Sequence, residues 1–262
     1  MATTTGAPNP KSIVHVIPYS SGAAAEAEAA PGPVPPVAKY TVLRTNEVDG
    51  YDKPIPKSAA GIAEAVAEAV AGDDFAGTSR KASKITIADA PMEKFDDIRD
   101  LIATLPSKKA MTTDHKPKIT TAATSKRAKE EKRNVRVDGF LYAASREKDN
   151  DFHVILGVDP DDSGDPVYLN IEISGLPSSN SAAFAKLRTA RNAFKKFFGA
   201  HPAGIPGPSY DYYKPPVPVR IEGSLFYDIN HATGAKPGPQ SLRSKIPTIW
   251  EIHPITKIVF EP

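Results

Sequence analysis

The chain has 262 residues, 40% of them hydrophobic, and its 33 lysines and arginines nearly balance its 31 aspartates and glutamates to give a net charge of +2. That charge is too small for the electrostatic field typical of a dedicated nucleic-acid-binding protein. The absence of cysteine excludes disulfides, thiolate metal sites and cysteine nucleophiles. No signal peptide is recognisable and no stretch reaches the roughly 18 apolar residues that a membrane helix needs, so we expect a soluble cytoplasmic protein.

The first part of the chain has the composition of a disordered leader. Residues 1–38 are rich in alanine, proline, glycine and threonine, and such a segment cannot bury enough apolar surface to offset its chain entropy. Residues 13–17 are apolar enough for an alternative, a short strand that docks on a neighbour. Residues 39–44 have the composition of an isolated strand without a nearby hairpin partner.

Residues 39–132 are expected to be weakly ordered around two helices. The first covers residues 58–71, where alanine is abundant and apolar residues recur every fourth position. The second covers residues 91–105, with Asp89 as its cap and Pro91 in its first turn. Residues 107–124 have the polar composition of a tether. Alternating charge signs predict a solvated helical face over residues 125–132.

Residues 133–262 show the pattern of strands and turns around one strong helix. Three alternating stretches precede the helix, at residues 134–144, 151–158 and 167–174, and two follow it, at 219–228 and 248–260. Gly139 and Gly223 interrupt the alternation, which is typical of a strand that bends within a closed barrel.

The helix itself covers residues 181–198. Asn180 or Ser181 is expected to cap its start and Gly199 to adopt the left-handed conformation after its end. Its apolar face consists of Phe184, Leu187, Phe194 and Phe198. The resulting β-β-β-α-β-β order is that of an OB-fold. The sequence therefore predicts a mainly β (α+β) fold, a five-stranded OB-like barrel over residues 133–262 behind a partly helical, partly disordered N-terminal region.

Three groups of residues resemble a family of uncharacterised bacterial proteins with a C-terminal OB-like domain. They are the acidic turn that runs from Glu147 to His153, the stretch 219–228 followed by His231, and the closing Trp-Glu-Ile-His-Pro motif at residues 250–254. The resemblance covers about residues 134–258. It implies a domain boundary near residue 133 and no particular activity.

Six polar residues lie on or beside the predicted strands and form the candidate chemical site. Histidine with carboxylate is a ligand set for a divalent ion such as zinc, and the candidate ligands are His153, Glu172, His231 and His253. Asp228 and Glu251 are interpreted as members of a polar network that orients a histidine. A purely structural network of all six is the favoured alternative, because buried polar groups are usually hydrogen-bonded. No cofactor other than this possible metal is predicted.

A nucleic-acid surface is the other candidate site, because OB barrels bind ligands across their second and third strands. Its residues are Tyr168, Asn170, Lys236, Arg243 and Lys245. We expect a non-catalytic binding module, with single-stranded nucleic acid as the first candidate ligand. The alternatives are a module that binds another protein and a divalent-metal-dependent hydrolase, although no nucleophile elbow, phosphate loop or dinucleotide motif is present.

Overall fold

Strands dominate the computed structural model, which describes residues 13–20, 39–50, 52, 72–201 and 203–260. The predicted mainly β fold is confirmed, with eight strands in this part of the chain: β1 (Ile13–Ser20), β2 (Lys39–Thr45), β3 (Met92–Phe95), β4 (Asn134–Arg146), β5 (Phe152–Gly157), β6 (Tyr168–Ile173), β7 (Asp211–Tyr227) and β8 (Trp250–Phe260). The α-helices are α1 (Lys81–Lys84), α2 (Ile98–Ala103), α3 (Phe184–Gly199) and α4 (Ile229–Thr233). Single turns of other helix types lie at Ala110–Asp114, Lys129–Glu131 and Arg243–Lys245.

All eight strands belong to one mixed sheet in the order β1-β2-β7-β8-β6-β5-β4-β3. β4 also pairs with β7, so β4, β5, β6, β8 and β7 form a closed ring of pairings. Within this ring β6 and β8 run parallel and the other neighbours run antiparallel. The sheet is thus larger than the five strands predicted, because β2 pairs with the start of β7 and β3 pairs with β4.

The two glycine positions behave differently. The pairing of β7 with β8 is irregular on both sides of Gly223, where the sequence pattern broke. In β4 the irregularity lies between Leu141 and Ala143, two residues beyond Gly139. The bend of a long strand is therefore confirmed at Gly223, and in β4 it lies later than predicted.

The core lies between the inner face of the ring and α3. Phe152, on β5, contacts Phe194 of α3 with a ring separation of 4.8 Å, and Phe194 contacts Phe198 at 4.7 Å. The helix begins at Phe184 without a side-chain cap, so the predicted capping by Asn180 or Ser181 is wrong. Gly199 belongs to the helix, and Ala200 is its C-cap.

Residues before the predicted boundary at 133 share this core. Ile98, Leu101 and Met111 are buried in the same cluster as Phe152 and Phe194. Among the described residues of the region predicted to be weakly ordered, α2 and Met111 of the predicted tether pack against the ring, whereas most of residues 112–124 are exposed.

The predicted helix at residues 91–105 is divided into β3 and α2. Asp97 caps α2 and accepts a hydrogen bond of 2.6 Å from the amide of Arg99, a role that the sequence assigned to Asp89. β1 falls within the predicted disordered leader, where the alternative was a short strand at residues 13–17, and it pairs antiparallel with β2 at the edge of the sheet. The helix predicted at residues 58–71 lies outside the described residues. Among those described, no helix combines the length and apolar character that crossing a membrane requires.

Candidate metal centre

The outer face of β5, β6 and β8 carries polar side chains that are all buried. Because side chains alternate along a strand, the residues between the core positions share this face: His153, Asn170, Glu172, Glu251 and His253. His153 and Glu172 are register partners, and His153 Nε2 lies 3.0 Å from Glu172 Oε1. The sequence alone left open whether His153 lies on the same face as Glu251 and His253. The pairing of β5 with β6, and of β6 with β8, places all three on one face.

Residues 72–90, which we name the covering segment, lie over this polar face. Its backbone is hydrogen-bonded to the residues that follow β6: the amide of Phe75 donates to the carbonyl of Leu176 at 2.9 Å. Arg80 is fully buried and donates to both carboxylate oxygens of Glu131, at 2.6 and 2.8 Å. The predicted solvated face of residues 125–132 holds for Lys126, Lys129 and Lys132, which are exposed, but not for Glu131, which is the counter-charge of a buried arginine.

The first group of possible metal ligands consists of Asp151, Glu172 and His253. One ligand atom from each lies within 4.8 Å of the other two. His253 Nδ1 is 2.6 Å from Glu172 Oε2, and His253 Nε2 is 3.5 Å from Asp151 Oδ2. Lys84 of the covering segment places its ammonium 3.5 Å from each of the two carboxylates and 3.3 Å from Asp149.

The second group consists of Asp228, His231 and Glu251, which meet the same 4.8 Å limit. Both ring nitrogens of His231 have carboxylate partners: Nδ1 contacts Asp228, and Nε2 lies 3.0 Å from Asp49 Oδ1. Asn170 connects the two groups, because its amide nitrogen donates to Glu251 Oε1 at 2.9 Å and to Glu172 Oε1 at 3.3 Å.

The two histidines of these groups differ in charge. Burial lowers the pKa of His253, so its ring is neutral at pH 7. Burial alone would also lower the pKa of His231, but hydrogen bonds with Asp228 and Asp49 raise it to about 9. A neutral imidazole is the form that binds a metal. The first group therefore has its histidine in the form that binds a metal, whereas His231 of the second group would first have to lose a proton.

The carboxyl groups outnumber the positive charges around them. Burial and neighbouring carboxylates raise the pKa values of Asp151 and Glu251 well above the ordinary range. Burial alone would raise the pKa of Glu172 as well, but His153 and Lys84 hold it well below its usual value. The cluster retains protons on some of its acids because it lacks cationic charge.

Six buried atoms of the cluster form no hydrogen bond among the described residues: Asp151 Oδ2, His153 Nδ1, Asn170 Oδ1, Glu251 Oε2 and both ring nitrogens of His253. Two of them still have a charged neighbour, since His253 Nδ1 lies 2.6 Å from Glu172 Oε2 and Asp151 Oδ2 lies 3.5 Å from the ammonium of Lys84. Buried polar atoms without a partner are rare in native proteins, because each costs about 1–3 kcal/mol of desolvation. Their concentration at one place makes this cluster the candidate binding site among the described residues.

Two of the five residues of the predicted nucleic-acid surface are buried, whereas Lys236 is exposed and Arg243 and Lys245 are half-buried. Tyr168 and Asn170 are fully buried, and Tyr168 packs edge-on against Tyr142 with ring centroids 4.9 Å apart. Lys236 donates to the carbonyl of Ile246 at 3.3 Å. Arg243 donates to the carbonyl of Gly238, and Lys245 lies half-buried two residues further on. Both buried residues lie on β6, and neither side chain is accessible to a ligand at the surface.

Sequence reasoning found the six polar residues on or beside the strands, gave Asp151 only as part of the acidic turn from Glu147 to His153, and missed Asp49 and Lys84. Both missed residues lie before the predicted boundary, in stretches whose spacing bears no relation to the strand residues they contact. Their contacts with Glu172 and His231 depend on tertiary structure alone. No family model, curated protein or solved structure matches the chain.

Proposed function

We propose that the chain is a non-catalytic binding module built on an OB-like barrel. Four observations support the OB-like assignment: the closed ring of β4, β5, β6, β8 and β7, the parallel pairing of its third and fifth strands, the helix α3 between the third and fourth, and the bend of β7. The strands β1, β2 and β3 are additions to this core. The resemblance to bacterial OB-like proteins stays a prediction.

The ligand that we propose is a divalent metal ion held by Asp151, Glu172 and His253. The observation that carries the proposal is the group of buried atoms on Asp151 and His253 that form no hydrogen bond among the described residues and that lie 3.5 Å apart beside Glu172. A divalent cation would satisfy these atoms and supply the charge that the carboxylates lack. One imidazole nitrogen with two carboxylates is a set that zinc and other first-row divalent ions accept.

Lys84 has a defined part in this proposal. Its ammonium lies at the same distance, 3.5 Å, from Asp151 and Glu172, so it competes with a metal for both carboxylates. The ion pair with Asp149, at 3.3 Å, gives Lys84 a third partner that is not a proposed ligand. Because the ligands are fully buried, we propose that the metal ties the start of β5 to β6 and β8 and that it does not act on a substrate.

The test is a titration of chelator-treated full-length protein with Zn²⁺, followed by calorimetry and by metal analysis after dialysis. We expect one tight equivalent, with Asp151→Asn and His253→Ala each weakening it by about 100-fold through loss of a ligand. His115→Ala is the control, since His115 contacts Glu130 outside the cluster. Binding that is unchanged in both ligand variants, or no binding by the folded wild type, refutes the metal site.

A stability measurement separates a lost ligand from a lost fold. If the urea midpoint of a ligand variant in chelator equals that of the wild type, its weaker binding reports coordination. If both ligand variants are greatly destabilised and the wild type holds no metal, the six polar residues form the structural network that the sequence favoured.

Three other predictions stay untested. Binding of single-stranded nucleic acid loses its proposed contacts at Tyr168 and Asn170, and a filter-binding titration with an oligonucleotide at about 10 mM salt tests it where electrostatic binding is strongest. Docking of another protein stays a prediction, which limited proteolysis between residues 107 and 132 tests. A metal-dependent hydrolase would need a path for substrate to the buried cluster.

A further inference from the structure

A cleft of about 380 Å³ lies between the end of α2, the start of β8 and the loop that follows α4. Its apolar wall is formed by Ile102, Leu105, Tyr227, Ile249 and Trp250. The volume is in the range of pockets that hold a small organic molecule, and a mostly apolar lining with a few polar groups is typical of such pockets.

The wall of the cleft is fixed by specific contacts. Trp250 Nε1 donates a hydrogen bond of 2.9 Å to the carbonyl of Pro106, which holds the residues after α2 against β8. The rings of Tyr227 and Trp250 meet edge to face at 5.2 Å. Trp250 and Tyr227 are fully buried, so the indole and phenol rings are held in place before any ligand arrives.

The polar groups of the cleft favour an anion. Lys108 and Lys236 line it, and no aspartate or glutamate is among its described lining residues. His231 also lines it, but Asp228 and Asp49 balance the charge of that ring. The net positive charge at the cleft therefore comes from the two lysines.

Tyr227 supplies a second, independent indication of a ligand. Tyr227 is one of the residues that line the cleft, and its hydroxyl is buried and has no hydrogen-bond partner among the described residues. A buried hydroxyl without a partner costs free energy that a ligand oxygen would recover.

We propose that this cleft binds a small organic carboxylate with an aromatic or otherwise apolar body. The apolar body packs on the wall of Leu105, Ile249 and Trp250, and the carboxylate is attracted by Lys108 and Lys236. The Tyr227 hydroxyl donates to an oxygen of the ligand. This site is separate from the proposed metal ligands Asp151, Glu172 and His253, and it does not depend on them.

The chain reports on this cleft directly, because Trp250 is its one tryptophan. The experiment titrates full-length protein with phenylacetate and follows tryptophan fluorescence excited at a wavelength that tyrosine does not absorb. Chelator is present throughout, so a failure of the metal proposal does not affect the result. We expect a saturable change with a dissociation constant of about 1 mM or lower. The uncharged isostere phenylacetamide should bind at least about tenfold more weakly, because it lacks the charge that the lysines attract.

Two variants assign the contacts. The double variant Lys108→Met with Lys236→Met should weaken phenylacetate binding about tenfold or more and leave phenylacetamide unaffected, whereas Lys186→Met, an exposed lysine on α3, should change neither. Tyr227→Phe should weaken binding about fivefold, the usual effect of one hydrogen bond. A urea midpoint for each variant shows that it is folded. No saturable change up to about 10 mM phenylacetate, or equal binding of the acid and the amide, overturns the proposal.

Discussion

Replacement of Lys84 by methionine tests whether the buried cluster needs its one lysine as a counter-charge. Lys84 is nearly buried, and its ammonium lies 3.3–3.5 Å from Asp149, Asp151 and Glu172. Methionine fills a similar volume without charge, so packing is largely kept and three carboxylates lose their common partner. Burial alone would lower the pKa of Lys84, but these carboxylates raise it well above its ordinary value, which shows how strongly they favour the charged ammonium.

The expected loss follows from the burial of the partners. Removal of one member of a buried ion pair costs about 3–5 kcal/mol, because the remaining charge is left in a medium that solvates it poorly. Asp151 and Glu172 are almost inaccessible to solvent, whereas Asp149 is partly exposed and recovers hydration. Protonation of Asp151 absorbs a further part of the penalty. We therefore expect Lys84→Met to lower the free energy of unfolding by about 3 kcal/mol at pH 7.

Urea denaturation in chelator measures this loss, and Lys148→Met is the matched control. Lys148 also pairs with a carboxylate, Asp52 at 3.0 Å, but it is 88% exposed and should contribute less than about 1 kcal/mol. Saturating Zn²⁺ should then restore more stability to Lys84→Met than to the wild type, because the ion replaces the missing charge without a competitor. Equal small losses in the two methionine variants would show that Lys84 does not hold the cluster together.

The remaining predictions concern pH and packing. Burial raises the pKa of Glu147 to about 8, so between about pH 4.5 and 8 the folded protein keeps a proton that the unfolded chain releases, and stability falls as pH rises through that window. In Glu147→Gln this decrease in the free energy of unfolding, which is at most roughly 5 kcal/mol, should become smaller. Urea midpoints measured at both ends of the pH window test this. A decrease equal to that of the wild type would contradict the assignment to Glu147. Gly223→Ala should destabilise by about 1–3 kcal/mol, because its Cβ would lie 2.5 Å from Ile252 Cγ2 and 2.6 Å from the carbonyl oxygen of Pro254. Gly199→Ala should instead raise the free energy of unfolding by about 0.5 kcal/mol, because its Cβ would meet no atom closer than 3.8 Å and alanine favours the helix. Thermal melting of the two glycine variants measures these opposite effects. A lower melting temperature for Gly199→Ala would contradict the helical assignment of residue 199.

The sequence determined the features that depend on local periodicity. Alternation located β5 and β6 and placed Asn170 with Glu172 on one face. The spacing of Leu187, Phe194 and Phe198 located α3, and these three side chains are buried as expected. Polar residues on apolar strands identified the cluster, because a histidine or a carboxylate in such a position requires a partner.

Tertiary structure alone decided what lies over that face. A period of two tells which residues point the same way, but it does not tell which side of a sheet another layer will cover. The covering segment brings Lys84 to Glu172 across 88 positions of the chain. Tyr168, which the sequence had assigned to a binding surface, is instead buried in an apolar cluster with Leu242 and Ile246. Local pattern therefore found most of the polar residues of the site. Long-range packing determined that they form one buried cluster rich in carboxylates, because the charge balance of the cluster depends on neighbours that are distant in the sequence.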